Sequence, residues 1–156
     1  MKPKPRKPPV AKAKPATKPQ GISEQMLRKI ISKHPIPKLY FSPNIPDAKE
    51  ANARTACFIP VLERVIALLD LTVFGGCDDC LVFTTDNIWH HNMNSKAVYC
   101  PYVDFPTINF QIQSDTFFSK TISLNNDFLD MGGITVPLDG LMAIFNDIKR
   151  YMVQGK

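Results

Sequence analysis

The chain has 156 residues, of which 44% are hydrophobic, and this length is enough for one domain with a real core but not for two substantial ones. Seven of its 19 basic residues lie in residues 1–20, which hold no acid, so the rest carries 12 basic and 14 acidic residues, a balance of −2. The net charge of +5 therefore gives no reason to expect that the folded part binds nucleic acid.

No apolar segment of the kind found in secretory signals follows the first charges, and no run approaches the roughly 20 apolar residues of a membrane span. We therefore expect a cytoplasmic protein. In that compartment Cys57, Cys77, Cys80 and Cys100 are expected to be thiols or metal ligands rather than a disulfide framework.

The first twenty residues contain six prolines among lysines and alanines, which predicts a disordered, semi-extended basic tail over residues 1–21. It is either a solubilising linker or a weak, salt-dependent contact for nucleic acid or anionic lipid. Without an aromatic residue to stack on bases, such a contact would not be specific for sequence. The charges of this electrostatic tail are Lys2, Lys4, Arg6, Lys7, Lys12, Lys14 and Lys18.

Residues 22–37 are predicted to be a helical segment and linker, with Ser23 as N-cap and a helix over Glu24–Lys33 that ends before the two prolines Pro35 and Pro37. Its apolar stripe either packs on the domain or binds a partner. The stripe consists of Met26, Leu27, Ile30 and Ile31.

Residues 38–156 are predicted to form the domain proper. A second helix should begin at Asp47. Strands are expected over residues 65–74, 80–85, 88–92, 97–102, 107–113, 121–125 and 134–136. The first of these is apolar throughout, so both of its faces should be covered.

A closing helix over residues 138–153 has the periodicity of a helix with one buried face. Several antiparallel strands with a single closing helix require a closed or strongly curved sheet, because a flat sheet would leave one face and both edges bare. The predicted fold class is therefore α+β: a curved antiparallel β-sheet or partial barrel capped by a C-terminal amphipathic helix, with short N-terminal helices.

Five stretches carry a family resemblance: LDLTVFG at 69–75, Asp79 with LVFT at 81–84, Ile88-Trp89 with Asn92, PYVDF at 101–105, and the lead-in over 39–53. Over residues 38–153 the chain resembles the bacterial pleckstrin-homology-like (PH-like) domains, small proteins of unassigned function. The resemblance implies a PH-like domain that recognises protein or lipid and has no catalysis of its own.

Two features depart from that family pattern. Cys77 and Cys80 stand where the family usually has small residues or glycine. The turn between them holds Asp78 and Asp79 instead of basic residues, which argues against binding of a lipid headgroup by the domain.

The Cys77-Asp-Asp-Cys80 spacing, with His91 and Cys100 following, would allow a tetrahedral zinc site. His90 and His91 should point to opposite faces of a strand, so only one could join. A half-exposed histidine of the hairpin is the preferred interpretation of these two residues. Buried or turn cysteines are the preferred interpretation, and we predict no metal and no cofactor. No nucleophile elbow, phosphate loop or dinucleotide motif occurs, so we expect no catalytic residues and no enzyme activity.

Phe117 and Phe118 lie side by side in a polar connection, which makes them candidates for a partner contact or for the contact of a homodimer. The alternative is packing under the loop. The leading hypothesis is a non-catalytic module for protein–protein recognition. The first alternative is a protein that associates with nucleic acid or an anionic surface through the tail, and the second is a small zinc-stabilised domain or metal enzyme.

Overall fold

A computed structural model describes residues 21–93, 95–132 and 136–155. The tail charges predicted to act electrostatically lie outside these residues. The elements are, in chain order, α1 (Glu24–Ser32), β1 (Leu39–Phe41), α2 (Asp47–Cys57), β2 (Val65–Asp70), β3 (Cys80–Thr84), β4 (Asn87–His91), β5 (Val98–Pro101), a 3-10 helix (Tyr102–Thr107), β6 (Phe110–Asp115), β7 (Lys120–Leu124), β8 (Asp127–Asp130) and α3 (Leu138–Gln154).

The strands form two antiparallel sheets. One has five strands in the order β1-β2-β3-β4-β5, and the other has three in the order β6-β7-β8. Neighbours along the chain are also neighbours in each sheet, as short connections favour. The predicted α+β class with a C-terminal helix is confirmed.

The five-stranded sheet is buried on both faces. Leu69, Leu81 and Phe83 face the main core, which contains residues of α1, α3 and the three-stranded sheet. Leu68 and Val82 face a second core, which contains Ala53 and Cys57 of α2. The predicted two-sided burial is confirmed for all of β2, in which every residue is buried.

Strand β2 ends at Asp70, four residues before the predicted end. The Asp70 carboxylate accepts hydrogen bonds from the backbone N–H of Thr72 at 2.9 Å and from its hydroxyl at 2.5 Å. Such a local turn replaces the strand ladder. Val73 and Phe74, predicted to lie in the strand, are therefore exposed in the connection to β3.

Helix α1 packs on the main core through its apolar stripe, in which Leu27 and Ile31 are fully buried. It runs antiparallel to α3. Gly21 lies beside Tyr151 near the end of α3, whereas the His34 ring contacts Asp147 at 3.0 Å, further toward its start. Of the two predicted roles for the apolar stripe of α1, the structure shows packing on the domain.

Helix α3 supplies the centre of the aromatic core. The ring of Phe145 lies 6.4 Å from Phe83, 6.2 Å from Phe105 and 5.1 Å from Phe110, centroid to centroid. These rings join both sheets and the 3-10 helix to α3. The helix follows its predicted bounds within one residue at its C-terminal end.

Two strand predictions changed at the 3-10 helix. Residues 97–102 and 107–113 were expected to be strands, but Tyr102–Thr107 turns into a 3-10 helix that contains Pro106. The buried Tyr102 hydroxyl donates to the carbonyl of Thr84 at 3.0 Å and fixes this turn. Strand β8 was missed, because only Leu129 of its four residues is buried. Most of the strand predicted over 134–136 lies outside the described residues.

Candidate functional site

Three of the four cysteines meet under α2. Cys57, Cys77 and Cys80 are all fully buried in the second core, and the sulfur atoms of Cys57 and Cys80 lie 3.6 Å apart. Cys77 has a left-handed backbone, with φ of 65°, that turns its side chain inward. The sequence pattern paired Cys77 with Cys80, but the direct neighbour of Cys80 is Cys57.

The structure does not bring the four proposed metal ligands together. Cys100 belongs to the main core, on the opposite face of the sheet from Cys77 and Cys80. The His91 ring Nδ1 donates to the carbonyl of Asp78 at 2.7 Å. Among residues 21–93, 95–132 and 136–155, no group of three or more His, Cys, Asp or Glu side chains is arranged to hold a metal ion.

The thiols of Cys77, Cys80 and Cys100 are held in their protonated form. Burial raises the pKa of Cys77 to about 12 and that of Cys100 to about 12. The contact with the Cys57 thiol, together with burial, raises the pKa of Cys80. All four cysteines are buried members of the two cores, where they pack as small apolar side chains.

His90 is buried rather than half-exposed, which corrects the sequence prediction. Its Nε2 donates to the carbonyl of Asp130 at 2.8 Å and so links β4 to β8. Burial lowers its pKa to about 4, so the ring is neutral at pH 7. Within the described part of the chain, the Nδ1 atom of His90 is the buried side-chain atom without a hydrogen-bond partner.

A buried ion pair holds the connection between β2 and β3. The Lys49 ammonium of α2 contacts the Asp70 carboxylate at 2.5 Å and donates to the carbonyl of Gly75. Asp70 is only 1% exposed, and its hydrogen bonds with Lys49 and Thr72 outweigh burial and lower its pKa. The side chain of Lys49 therefore holds the β2–β3 connection against α2.

Glu63 is the hub of a second polar cluster. Its carboxylate accepts hydrogen bonds from the Thr84 hydroxyl at 2.5 Å, the Asn87 side-chain amide at 2.9 Å and the Trp89 indole N–H at 2.9 Å. The Arg54 guanidinium donates to the Glu63 carbonyl at 3.0 Å. These bonds tie the loop after α2 to the β3–β4 hairpin.

This anchored loop exposes an unusual amount of apolar surface. Phe58, Val61 and Leu62 are 80%, 93% and 94% exposed. We call these three residues the apolar loop surface. Phe58 also ends α2 in the left-handed conformation, with φ of 58° and ψ of 38°, a position that glycine usually fills. Of the three residues, only Phe58 has this unfavourable backbone conformation.

An aromatic pair lies beside the same loop. The rings of Trp89 and Tyr99 stack at a centroid distance of 4.9 Å, and Tyr99 is 59% exposed. Since Trp89 bonds to Glu63, the neighbour of Leu62, the apolar loop surface continues toward these rings. No residue of this loop was singled out from the sequence as functional. The signal was the run Phe-Ile-Pro-Val-Leu, which has more apolar residues than a connection requires.

Phe117 and Phe118 lie in the turn between β6 and β7. They are 80% and 87% exposed, and their rings meet edge to face at 5.1 Å. The two side chains therefore pack on each other rather than beneath the loop. They belong to the three-stranded sheet, whereas the apolar loop surface belongs to the five-stranded one.

In the described residues no helix is both long enough and apolar enough to cross a membrane. The chain matches no protein-family model, no curated protein and no solved structure.

Proposed function

We propose that this chain is a non-catalytic module that recognises a protein partner through the apolar loop surface. The observation that carries the proposal is the exposure of Phe58, Val61 and Leu62 on a backbone that Glu63 and Arg54 hold in place. Large apolar side chains that are already ordered lose little conformational entropy on binding, so they make effective anchors.

The backbone of Phe58 supports this proposal. A non-glycine residue in the left-handed conformation costs about 1–2 kcal/mol relative to a favoured conformation. A side chain that is 80% exposed recovers little of this by packing within the chain. A contact between the Phe58 ring and another molecule would offset this cost.

The fold proposed for this module is PH-like. The support is the combination of the motif resemblance over residues 38–153 with two antiparallel sheets and a C-terminal helix. The proposed recognition role agrees with what that resemblance implies. The acidic turn at Asp78 and Asp79 favours a protein partner over an anionic lipid headgroup.

Affinity capture with the full-length protein tests this function. The wild type is compared with Leu62→Ser and with Val153→Ser, a matched exposed residue on α3, after identical folding checks by circular dichroism. We expect a stoichiometric partner that Leu62→Ser loses and Val153→Ser retains. Equal capture by all three proteins would refute the role of this surface. Adding Phe117→Ser/Phe118→Ser shows whether that pair belongs to the same contact.

Sedimentation of the same variants identifies a second copy of the chain as the partner. If the wild type is a dimer that Leu62→Ser converts to a monomer, the recognition is homotypic. The tail alternative has its own test, because deletion of residues 1–20 should then remove salt-sensitive binding to DNA, RNA or anionic vesicles. If the full chain shows no such binding, the tail alternative is wrong.

A further inference from the structure

A groove of about 410 Å³ lies at the connection between β2 and β3, and none of its lining residues belongs to the apolar loop surface. Its walls include Val73, Phe74 and Met93, which are 74%, 99% and 78% exposed, and its rim carries Asp78 and Asp79. Apolar side chains beside carboxylates suit a ligand that combines apolar rings with cationic groups.

The backbone of the groove is already ordered. The carbonyl of Asp79 accepts the N–H of Leu71 at 3.0 Å, and its carboxylate accepts the N–H of Met93 at 2.6 Å. The Asn52 amide donates to the carbonyl of Gly76 at 2.8 Å. The exposed side chains therefore stand on a fixed floor, which reduces the entropy lost on binding.

The negative charge on the rim of the groove is complementary to the positive charge of a segment of this chain. Lys49 is paired with Asp70, and Lys38 donates to the carbonyl of Thr72, whereas the Asp78 side chain is exposed on the rim. Residues 2–9 have the sequence KPKPRKPP, four cationic residues and four prolines without an acid. Proline rings pack well on aromatic and apolar side chains, and a proline-rich segment has little conformational entropy to lose on binding.

The chain between Gly21 and residues 2–9 is long enough for residues 2–9 to reach the groove. Gly21 lies beside Tyr151 at one end of α1, while Lys38, beyond the other end, contacts Thr72 at the groove. The nine residues of α1 are about 14 Å long, so the span to cover is on the order of 20–30 Å. Residues 10–20, at about 3.1 Å each in an extended proline-rich chain, cover roughly 34 Å.

We propose that this groove binds residues 2–9 of the same chain, with prolines against Phe74 and Val73 and a cationic side chain at Asp78. The consequence is that part of the positive charge in residues 2–9 is neutralised until a competing polyanion or partner releases the segment.

Photocrosslinking in the full-length protein tests the proposal. A benzophenone amino acid replaces Phe74 in one protein and Phe117, an equally surface-exposed ring, in the other. Mass spectrometry then locates the crosslinks. We expect crosslinks from position 74 to residues 2–9 and far fewer from position 117. Equal yields from both positions would overturn the proposal.

Two further arms test the chemistry and the source of the segment. Asp78→Asn should lower the crosslink yield from position 74 about two- to fivefold, as expected for loss of one exposed ion pair, whereas Asp127→Asn on β8 should not. Raising the salt to about 1 M, where the screening length falls to about 3 Å, should lower it as well. Insensitivity to both changes, or crosslinks that join heavy and light chains in a mixed sample, would contradict binding within one chain.

Discussion

Replacing Glu63 by glutamine tests the hub that orders the apolar loop surface. Thr84 and Trp89 donate to one carboxylate oxygen, and Asn87 donates to the other. An amide of the same shape keeps one acceptor oxygen but turns an NH₂ group toward the remaining donor. One hydrogen bond to a charged group is then lost, which is worth about 1.5–3 kcal/mol.

We expect Glu63→Gln to lower the free energy of unfolding by about 1.5–3 kcal/mol, which corresponds to a fall in Tm of about 3 to 12 °C for a chain of this size. Urea unfolding followed by circular dichroism measures the loss. Emission from Trp89, the single tryptophan, reports separately on the hydrogen bond to its indole.

Asp115→Asn is the matched control, because Asp115 is 51% exposed and pairs with Lys120 in the β6–β7 hairpin. Exposed ion pairs contribute about 0.2–1 kcal/mol. If Glu63→Gln lost less than about 0.5 kcal/mol, or no more than the control, Glu63 would not be the anchor of this loop. The apolar loop surface would then not be held in place by Glu63.

Three further changes probe the core and its buried charges. Phe145→Ala should cost about 3–5 kcal/mol in urea unfolding, whereas the exposed Phe117→Ala should cost under about 0.5, and similar losses would contradict the assigned core. Asp70→Asn leaves Lys49 without its partner and should cost about 2–4 kcal/mol, and an unchanged urea midpoint would refute this role for the ion pair. Because the folded-state pKa of His90 is about 4, below its usual 6.5, the unfolded chain binds more protons between these values. Stability should therefore fall by up to about 3 kcal/mol as the pH drops from 6.5 to 4, and the fall should be smaller in His90→Gln. If the wild type and His90→Gln lost stability equally over this pH range, another group would be the cause of the loss.

Local sequence patterns predicted the elements whose signals are local. The Ser23 cap and the apolar stripe were enough for α1, and the periodicity through Leu141, Ile144 and Phe145 was enough for α3. The two short β-type runs over residues 80–85 and 88–92, separated by a tight two-residue turn, gave the hairpin. Capping, periodicity and turn chemistry act between residues that are close in the chain, so one sequence is enough to read them.

The contacts of the cysteines could not be predicted from local sequence patterns. Spacing joined Cys77 to Cys80, His91 and Cys100, but β5 places Cys100 on the opposite face and α2 brings Cys57 to Cys80. Likewise, β8 covers His90, which the pattern had left half-exposed. Strand alternation predicts which residues share a face, but not which element covers that face.

The sequence by itself determined the α+β class, the three α-helices, the hairpin and the concentration of positive charge in residues 1–20. Only the tertiary structure decided that Glu63 collects donors from β3 and β4, that Phe58, Val61 and Leu62 remain exposed beside it, and that a groove opens at Phe74. The physical reason is distance along the chain. Glu63 lies 21 to 26 residues from its partners, and no local propensity encodes such a contact.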